Sequence, residues 1–255
     1  MANPPSAWAD TPFHLISETG ALDRPDIPKD HSAVYIARQM SQIHNGLIRA
    51  LNSIHNQCIK IKPSTADTGH FLSYCQIFHD YLHSHHTLEE RVIFPDIEQL
   101  AQKPGMMEAN IKQHRDFGEA METFRSYVFT TKPESYDGVQ LQGIVQEFGA
   151  KLHKHLREEI PTLLGLWTLD DRKLRELVGR ADKAAEADID PFRMGPMVLG
   201  CIDKTFKVDG VNSDFPSTPF FLGFAVQHVF SRRHAGAWKF HPCTFARTPR
   251  PLYLS

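Results

Sequence analysis

The chain has 255 residues, of which 41% are hydrophobic, enough for one large domain or for a domain with a sizeable appendage. Its 28 Lys and Arg residues balance 30 Asp and Glu residues, and the formal charge of -2 excludes a broadly basic protein built for nucleic acid or an anionic membrane. No apolar stretch reaches the length of a membrane span. Histidine is the unusual component, at fifteen residues, and imidazole is the commonest protein ligand for transition metals.

Cysteine use and the first residues both favour an intracellular protein. Cys58, Cys75, Cys201 and Cys243 stand far apart without a C-x-x-C pair, a pattern typical of buried reduced thiols. The opening stretch MANPPSAWADTPFHLI has neither a basic start nor a continuous apolar run, so we expect no secretory signal. The expected location is therefore cytoplasmic, with no nucleic-acid or membrane partner.

The N-terminal arm, residues 1–30, contains five prolines, too many for a long helix or a central strand. Its apolar side chains include Trp8, Phe13, Leu15 and Ile16. We therefore expect this arm to pack on the main body of the protein.

The first helical pattern runs from about residue 30 to about residue 60. At about 100° per residue, an apolar stripe falls within about 40° of His44, which places this histidine toward a core. The stripe contains Ala37, Met40, Ile48, Leu51, His55 and Cys58. A histidine on one such stripe is more often a hydrogen-bonded packing residue than a metal ligand.

The second pattern, from about residue 67 to about residue 99, includes the histidine-rich stretch FHDYLHSHHTLEERVIFP. Two pairs there have the His-x-x-x-Glu spacing that puts both side chains on one helical face, namely His85 with Glu89 and His86 with Glu90. The apolar stripe selects His85 and Glu89, while His86 lies about 60° from the stripe centre. The residues expected on a flanking or solvated face are His79, His83, His86 and Glu90.

The third and fourth patterns each contain one inward histidine. In the third, about residues 106–129, the stripe through His114 is the least regular, because Asn110 and Arg125 also fall on it. In the fourth, about residues 139–167, His155 and Glu159 repeat the His-x-x-x-Glu spacing.

Four amphipathic helices with short connections predict an all-α protein, an up-down-up-down four-helix bundle over residues 31–168. All four stripes then share one core, where buried histidines and glutamates are unfavourable unless a bound cation compensates them. The four histidines can divide between two ions that the two glutamates bridge, and such a mixed nitrogen and oxygen donor set suits iron or manganese. The candidate metal ligands are His44, His85, Glu89, His114, His155 and Glu159.

These segments resemble the hemerythrin-like, or HHE cation-binding domain, family. HSHHTLEERVIFP and HKHLREEIPTLLGL are similar to its two signature segments, and HNGLIRALNSI and QHRDF to the other two. The resemblance implies a non-haem di-iron centre that meets dioxygen or nitric oxide or handles iron, with zinc or manganese less favoured. It implies the same six ligands.

The chain departs from the resemblance at Gly118. Members of the family that carry oxygen reversibly place a second histidine there, one turn after the third-helix histidine. Removing a ligand leaves an open coordination position, which distinguishes a reactive metal site from a saturated one. We therefore predict an open position beside Gly118.

Residues 169–255 follow the bundle as a C-terminal extension. Residues 170–190 have the composition of a surface helix, residues 220–230 predict a short apolar helix, and residues 237–254 predict an extended strap. We expect the arm and the strap to clasp the bundle and to cover one end of the metal site.

Two functions fit these features. The first is an oxidoreductase, specifically a monooxygenase, in which di-iron activates dioxygen and oxidises a small organic substrate. The alternative is a non-enzymatic protein that binds or senses oxygen, nitric oxide or iron with the same centre.

Overall fold

The computed structural model describes residues 8–187, 189–212, 215–216 and 222–254, and most of its regular structure is helical, as predicted for the all-α class. The helices are α1 Ser32–Gln57, α2 Ala66–Leu88, α3 Phe94–Ala101, α4 Glu108–Thr130, α5 Gly138–Leu164, α6 Asp171–Ala187, α7 Met194–Cys201 and α8 Leu222–His228. A two-stranded antiparallel hairpin, β1 Lys207–Val208 and β2 Val211–Asn212, follows α7.

The four long helices surround one core. Helix α1 packs against α5, α5 against α4, α4 against α2, and α2 against α1. Their facing stripes bury large apolar side chains such as Leu51, Phe78, Phe124 and Phe148. The order in which the helices run up and down stays a prediction. No helix within the described residues is both long enough and apolar enough to cross a bilayer.

Side-chain caps set where the long helices begin. The Asp137 carboxylate accepts hydrogen bonds from the first backbone N–H groups of α5, and Thr65 with Thr68 forms a capping box at α2. The N-terminus of α1 is capped from outside the bundle, because the Ser32 N–H donates to Asp171 of α6 at 2.6 Å. Helix α6 thereby ties the C-terminal extension to the bundle.

The predicted second helix is divided into three segments. Helix α2 ends at Leu88, a π-helical turn covers Glu89–Ile93, and α3 follows. Within this turn the Phe94 N–H donates to the Glu89 carbonyl five residues earlier, one residue farther than in an α-helix. Pro95 lies in the first turn of α3, directly after the π turn.

Two asparagines of α1 hold the arm by its backbone. The buried Asn45 amide accepts a hydrogen bond from the Ile16 N–H and donates to the Ile16 carbonyl. The buried Asn52 amide accepts from the Phe13 N–H and donates to the Ala9 and Phe13 carbonyls. The described part of the arm therefore lies along α1, paired with side-chain amides as a strand pairs with its neighbour.

A glycine lets the arm approach α5. A Cβ atom at Gly149 would lie 2.5 Å from the Phe13 ring, closer than any packed side chain tolerates. The Phe13 ring also packs against the imidazoles of His55 and His153. The arm thus occupies the groove between α1 and α5.

The strap lies away from the predicted metal site, and the expectation that it covers the site was wrong. The Phe240 carbonyl accepts hydrogen bonds from Ser53 and Gln57 in the last turns of α1, and the Phe240 ring packs on Phe71. Ser53 lies nine residues beyond His44, about 14 Å along the helix. The strap also contains a 3-10 turn at Ala237–Phe240 and is not extended throughout.

The predicted surface helix and apolar helix have counterparts in α6 and α8. Helix α6 packs against α1, α3 and the π turn, so it is a part of the extension that lies at the metal-site end of the bundle. Helix α8 begins at Leu222, and the start of the predicted apolar helix, at Phe220, lies outside the described residues.

Candidate metal centre

The structure brings all six predicted ligands together in the core between the four long helices. His44 lies midway along α1, His85 in the last turn of α2, and Glu89 at the start of the π turn. His114 lies in the second turn of α4, and His155 and Glu159 lie on one face of α5. None of the six is more than 9% exposed.

The first group of candidate ligands consists of His44, His85 and Glu89. The Nε2 atoms of the two histidines are 3.3 Å apart, and His85 Nε2 is 3.1 Å from Glu89 Oε1. Two ligands at right angles on an ion about 2.1 Å from each lie about 3 Å apart. This spacing fits a shared cation.

The second group consists of His86, Glu89, His114 and His155. The Nε2 atoms of His114 and His155 are 3.0 Å apart, and His114 Nε2 is 3.6 Å from Glu89 Oε2. The His86 ring lies 4.3 Å from the His114 ring and 5.4 Å from the His155 ring, between centroids. His86 is 7% exposed, which corrects the expectation of a flanking or solvated position.

The two glutamates span both groups. Glu89 directs Oε1 toward His85 and Oε2 toward His114, while Glu159 Oε2 lies 3.4 Å from His44 Nε2 and 3.9 Å from His155 Nε2. All four carboxylate oxygens are buried, and none forms a hydrogen bond with a described residue. Each unsatisfied buried group is unfavourable by about 1 to 3 kcal/mol. A cation on each side would satisfy them.

Three of the imidazoles are held in the tautomer that binds metal through Nε2. Nδ1 of His44 donates to the Leu156 carbonyl at 2.7 Å, Nδ1 of His114 to Glu90 Oε1 at 2.7 Å, and Nδ1 of His155 to Gln113 Oε1 at 3.0 Å. Because these oxygens can only accept, the proton resides on Nδ1 in each ring and Nε2 carries a lone pair. The Nε2 lone pairs of His114 and His155 cannot hydrogen-bond to each other, so the arrangement of these two rings is one that a cation stabilises.

Burial also sets the protonation of the cluster. It lowers the pKa of His85 and His86 well below the ordinary histidine value and that of His155 to about 3, so these rings are neutral at pH 7. Burial, reinforced by the charge of Glu159, raises the pKa of Glu89 well above its ordinary value. The cluster is therefore rich in unprotonated nitrogen, and its carboxylates lack any described cationic partner.

The remaining polar residues of the second helix lie outside the cluster. His83 is exposed, as expected, whereas His79 is only 8% exposed and pairs with Asp80 at 3.1 Å. Glu90 is partly exposed, as expected of that face, yet it contacts a candidate ligand directly. A Cβ at Gly118 would meet no atom within 4 Å, so there is room for a side chain there, and the open coordination position stays a prediction.

Two cavities flank the helices that carry the ligands. One, of about 310 Å³, is enclosed by arm residues 16–20 and by Arg157, Ile160 and Pro161 of α5, directly after Glu159. The other, of about 510 Å³, lies on the outer face of α2 and includes Glu90. Neither is lined by the strap.

Helix order, burial and the cluster define a helical protein with a His and Glu site able to bind metal cations. The family model for the hemerythrin HHE cation binding domain matches residues 35–167, so the chain belongs to this family and the predicted resemblance is confirmed. It is similar to a protein named dimeric xanthone biosynthesis cluster protein R11 from Cryptosporiopsis sp. (strain 8999), with 32% identity over 249 residues, 97% of this chain and 93% of the relative. No solved structure matches the chain significantly.

Proposed function

We propose that this protein is a non-haem di-iron oxidoreductase that uses dioxygen to oxidise a small aromatic substrate. The metal assignment rests on two pairs of neighbouring Nε2 atoms, one in His44 and His85 and the other in His114 and His155. The carboxylates of Glu89 and Glu159 lie between these pairs without hydrogen-bond partners among the described residues. Imidazole nitrogens with carboxylate oxygens form a donor set that suits iron. The proposed ligands are His44, His85, Glu89, His114, His155 and Glu159, with Glu89 and Glu159 between the two ions.

When it is bound, an iron pair supplies the electrons that reduce dioxygen. In the proposed monooxygenation one oxygen atom enters a C–H bond of the substrate and the other leaves as water, with two electrons and two protons taken from an external reductant. The chain's own contribution is to fix the ligands and to exclude solvent.

Residues next to the ligands perform both tasks. The Leu156 carbonyl, Gln113 and Glu90 fix three imidazole rings through Nδ1. The aromatic rings of Phe94 and Phe117 pack against His114 at 5.8 Å each, between centroids. These buried rings keep water from the ligands and lower the local dielectric constant.

The substrate class rests on the similar protein from Cryptosporiopsis, whose name places it in a dimeric xanthone biosynthesis cluster. Xanthones are fused aromatic ketones. The likeness extends over 97% of this chain, so it includes the arm and the C-terminal extension as well as the metal-binding helices. We infer that the substrate is an aromatic, phenol-bearing compound.

Oxygen consumption under single-turnover conditions tests the proposal. The full chain, loaded anaerobically with two equivalents of Fe²⁺, is mixed with oxygen and a panel of hydroxylated aromatic ketones, and products are analysed by mass spectrometry after labelling with ¹⁸O₂. We expect irreversible oxygen consumption and one labelled oxygen atom in a product, both absent from Glu159→Ala. Reversible uptake and release of oxygen without net consumption would contradict the proposal and support the gas-binding alternative.

A further inference from the structure

We propose that His86 is a seventh protein ligand and that it binds the ion held by His114 and His155. This inference rests on the proposed di-iron centre and assigns a residue that the helical pattern had placed outside it. It also changes which of the two ions is open to reaction.

The ring nitrogen of His86 lies among candidate metal ligands and has no hydrogen-bond partner. Nε2 is buried and forms no hydrogen bond with any described residue. It lies in one group with Glu89, His114 and His155, whose candidate ligand atoms are all within 4.8 Å of one another. A packing histidine in a core ordinarily directs its ring nitrogens to hydrogen-bond partners, since buried polar groups are paired in folded proteins. His86 instead places a ring nitrogen beside two imidazoles and a carboxylate.

Protonation does not offer His86 an alternative way to satisfy this nitrogen. A second proton on the ring would place a positive charge among other buried imidazoles, and burial disfavours that charge. The neutral ring has a lone pair available for a cation, as do its neighbours. The geometry and the chemistry therefore agree on a ligand.

This assignment supplies from α2 the ligand that α4 lacks at Gly118. Gly118 lies one turn after His114, and the space for a side chain there is empty. With His86 in place, one ion has three histidines, His86, His114 and His155, and the other has His44 and His85. Since Glu89 and Glu159 serve both ions, the ion with two histidines has fewer protein ligands. We infer that the open coordination position lies beside His44 and His85, away from Gly118.

Metal titration of four full-length proteins tests this assignment: the wild type, His86→Ala, His79→Ala, and the double variant His86→Ala with Gly118→His. His79 is the matched control, because it is also a buried histidine of α2 but lies outside both groups. Co²⁺ is titrated anaerobically into each metal-free protein, with the number of bound ions and the visible absorption recorded. Far-UV circular dichroism verifies that each variant is folded.

We expect two tight ions in the wild type and in His79→Ala, and one tight ion in His86→Ala. The affinity for the second ion should fall by about 100-fold or more, because changes in residues that merely support a ligand already cost 10- to 100-fold. Gly118→His should restore the second ion in the His86→Ala background. If His86→Ala binds two ions as tightly as the wild type, the assignment is overturned while the di-iron proposal stands.

The other outcomes are equally decisive. A wild type that binds fewer than two ions overturns the di-iron proposal and this assignment together. A double variant that stays at one tight ion, in a protein where His86→Ala has lost the other, overturns the claim that His86 replaces a ligand at Gly118.

Discussion

Among single residues, Glu89 most strongly indicates metal binding, and its buried carboxylate most strongly destabilises the metal-free fold. Its side chain is fully buried, neither oxygen has a hydrogen-bond partner among the described residues, and Glu159 adds a second buried carboxylate. An isolated buried charge is unfavourable, and so is the protonation at neutral pH that would remove it. Metal-free protein therefore retains a strained polar site that serves only the bound state.

Replacing Glu89 by glutamine should separate stability from metal binding. In metal-free protein at pH 8 we expect Glu89→Gln to raise the free energy of unfolding by about 1 to 3 kcal/mol, since a neutral amide of the same shape removes the buried charge. The same variant should bind no paired metal. Urea unfolding with a chelator present measures the first effect.

The control for this prediction is Glu122→Gln, which alters an exposed carboxylate paired with Arg125. It should change stability by less than about 0.5 kcal/mol. A Glu89→Gln protein that is less stable than the wild type without metal would show that Glu89 supports the fold and would contradict this account.

Six histidines of the described chain have a lowered pKa, three of them in the cluster, and they make the free energy of unfolding without metal sensitive to acid. His85, His86 and His155 have folded pKa values below their unfolded values, so their contribution is fully present above pH about 6.5 and is lost as the pH falls toward their folded values. Glu89, whose pKa is raised, acts in the opposite direction above pH about 4.5.

Because six histidines with a lowered pKa oppose three carboxylates with a raised pKa, we predict that the free energy of unfolding without metal falls between pH 6.5 and pH 5. His86→Gln should show a shallower fall, since it removes one of these titrating rings. Urea unfolding across this pH range measures both slopes. Equal slopes in the two proteins, or stability that rises on acidification, would be inconsistent with a neutral, buried His86.

At the scale of secondary-structure elements, helical periodicity was enough to predict which faces point inward. His85, Glu89, His155 and Glu159 followed from the 3.6-residue repeat, because both residues of each pair lie on one face. The position of His86 did not follow, since a side chain about 60° from the stripe centre can be buried or exposed, depending on what packs beside it. Here α4 and α5 cover that side of α2, and this tertiary packing cannot be predicted from the sequence of α2 alone.

The π turn and the arm show the same limit. The local sequence around Glu89 predicts a helix. It does not reveal that the π turn contains one additional residue, because this turn is stabilised by packing. Proline content predicted an arm, yet its course along α1 depends on the amides of Asn45 and Asn52, which lie far from it in sequence. The position of the strap likewise depends on partners outside its own sequence.

The asparagine contacts along α1 predict a graded loss of stability. Asn52→Ala should lower the free energy of unfolding by about 1 to 3 kcal/mol, because it leaves arm backbone groups at Phe13 and Ala9 without partners. Asn56→Ala is the matched control, since Asn56 donates to the Thr11 carbonyl at an exposed position and should cost less than about 1 kcal/mol. Equal losses in the two variants would contradict the proposed anchoring.

At the scale of the whole molecule, Arg49 connects the arm, α1 and the C-terminal extension. Its guanidinium is 1% exposed, pairs with Asp10 of the arm at 2.8 Å, and lies 5.0 Å from the ring centres of both Trp8 and Phe206. Asp203 of the extension lies 3.9 Å away. One buried cation therefore helps to hold both the arm and residues 203–206 of the extension on the bundle.

Arg49→Ala should destabilise the protein by about 2 to 4 kcal/mol, because two carboxylates lose their buried partner and two rings lose a cation above them. Hydrogen exchange should show faster exchange in residues 8–20 and 201–208 together. Arg125→Ala, which removes an exposed ion pair, should change stability by less than about 0.5 kcal/mol. Loss of protection confined to one of the two segments would contradict the proposed link.

The central claim, that the buried cluster holds two iron ions, is tested most directly by the iron content and Mössbauer spectrum of the full chain loaded anaerobically with ⁵⁷Fe²⁺ and then oxidised. We predict two iron ions per chain in two distinguishable environments, because one ion would have three histidines and the other two. One iron ion per chain, or none after loading with excess Fe²⁺, would contradict the account.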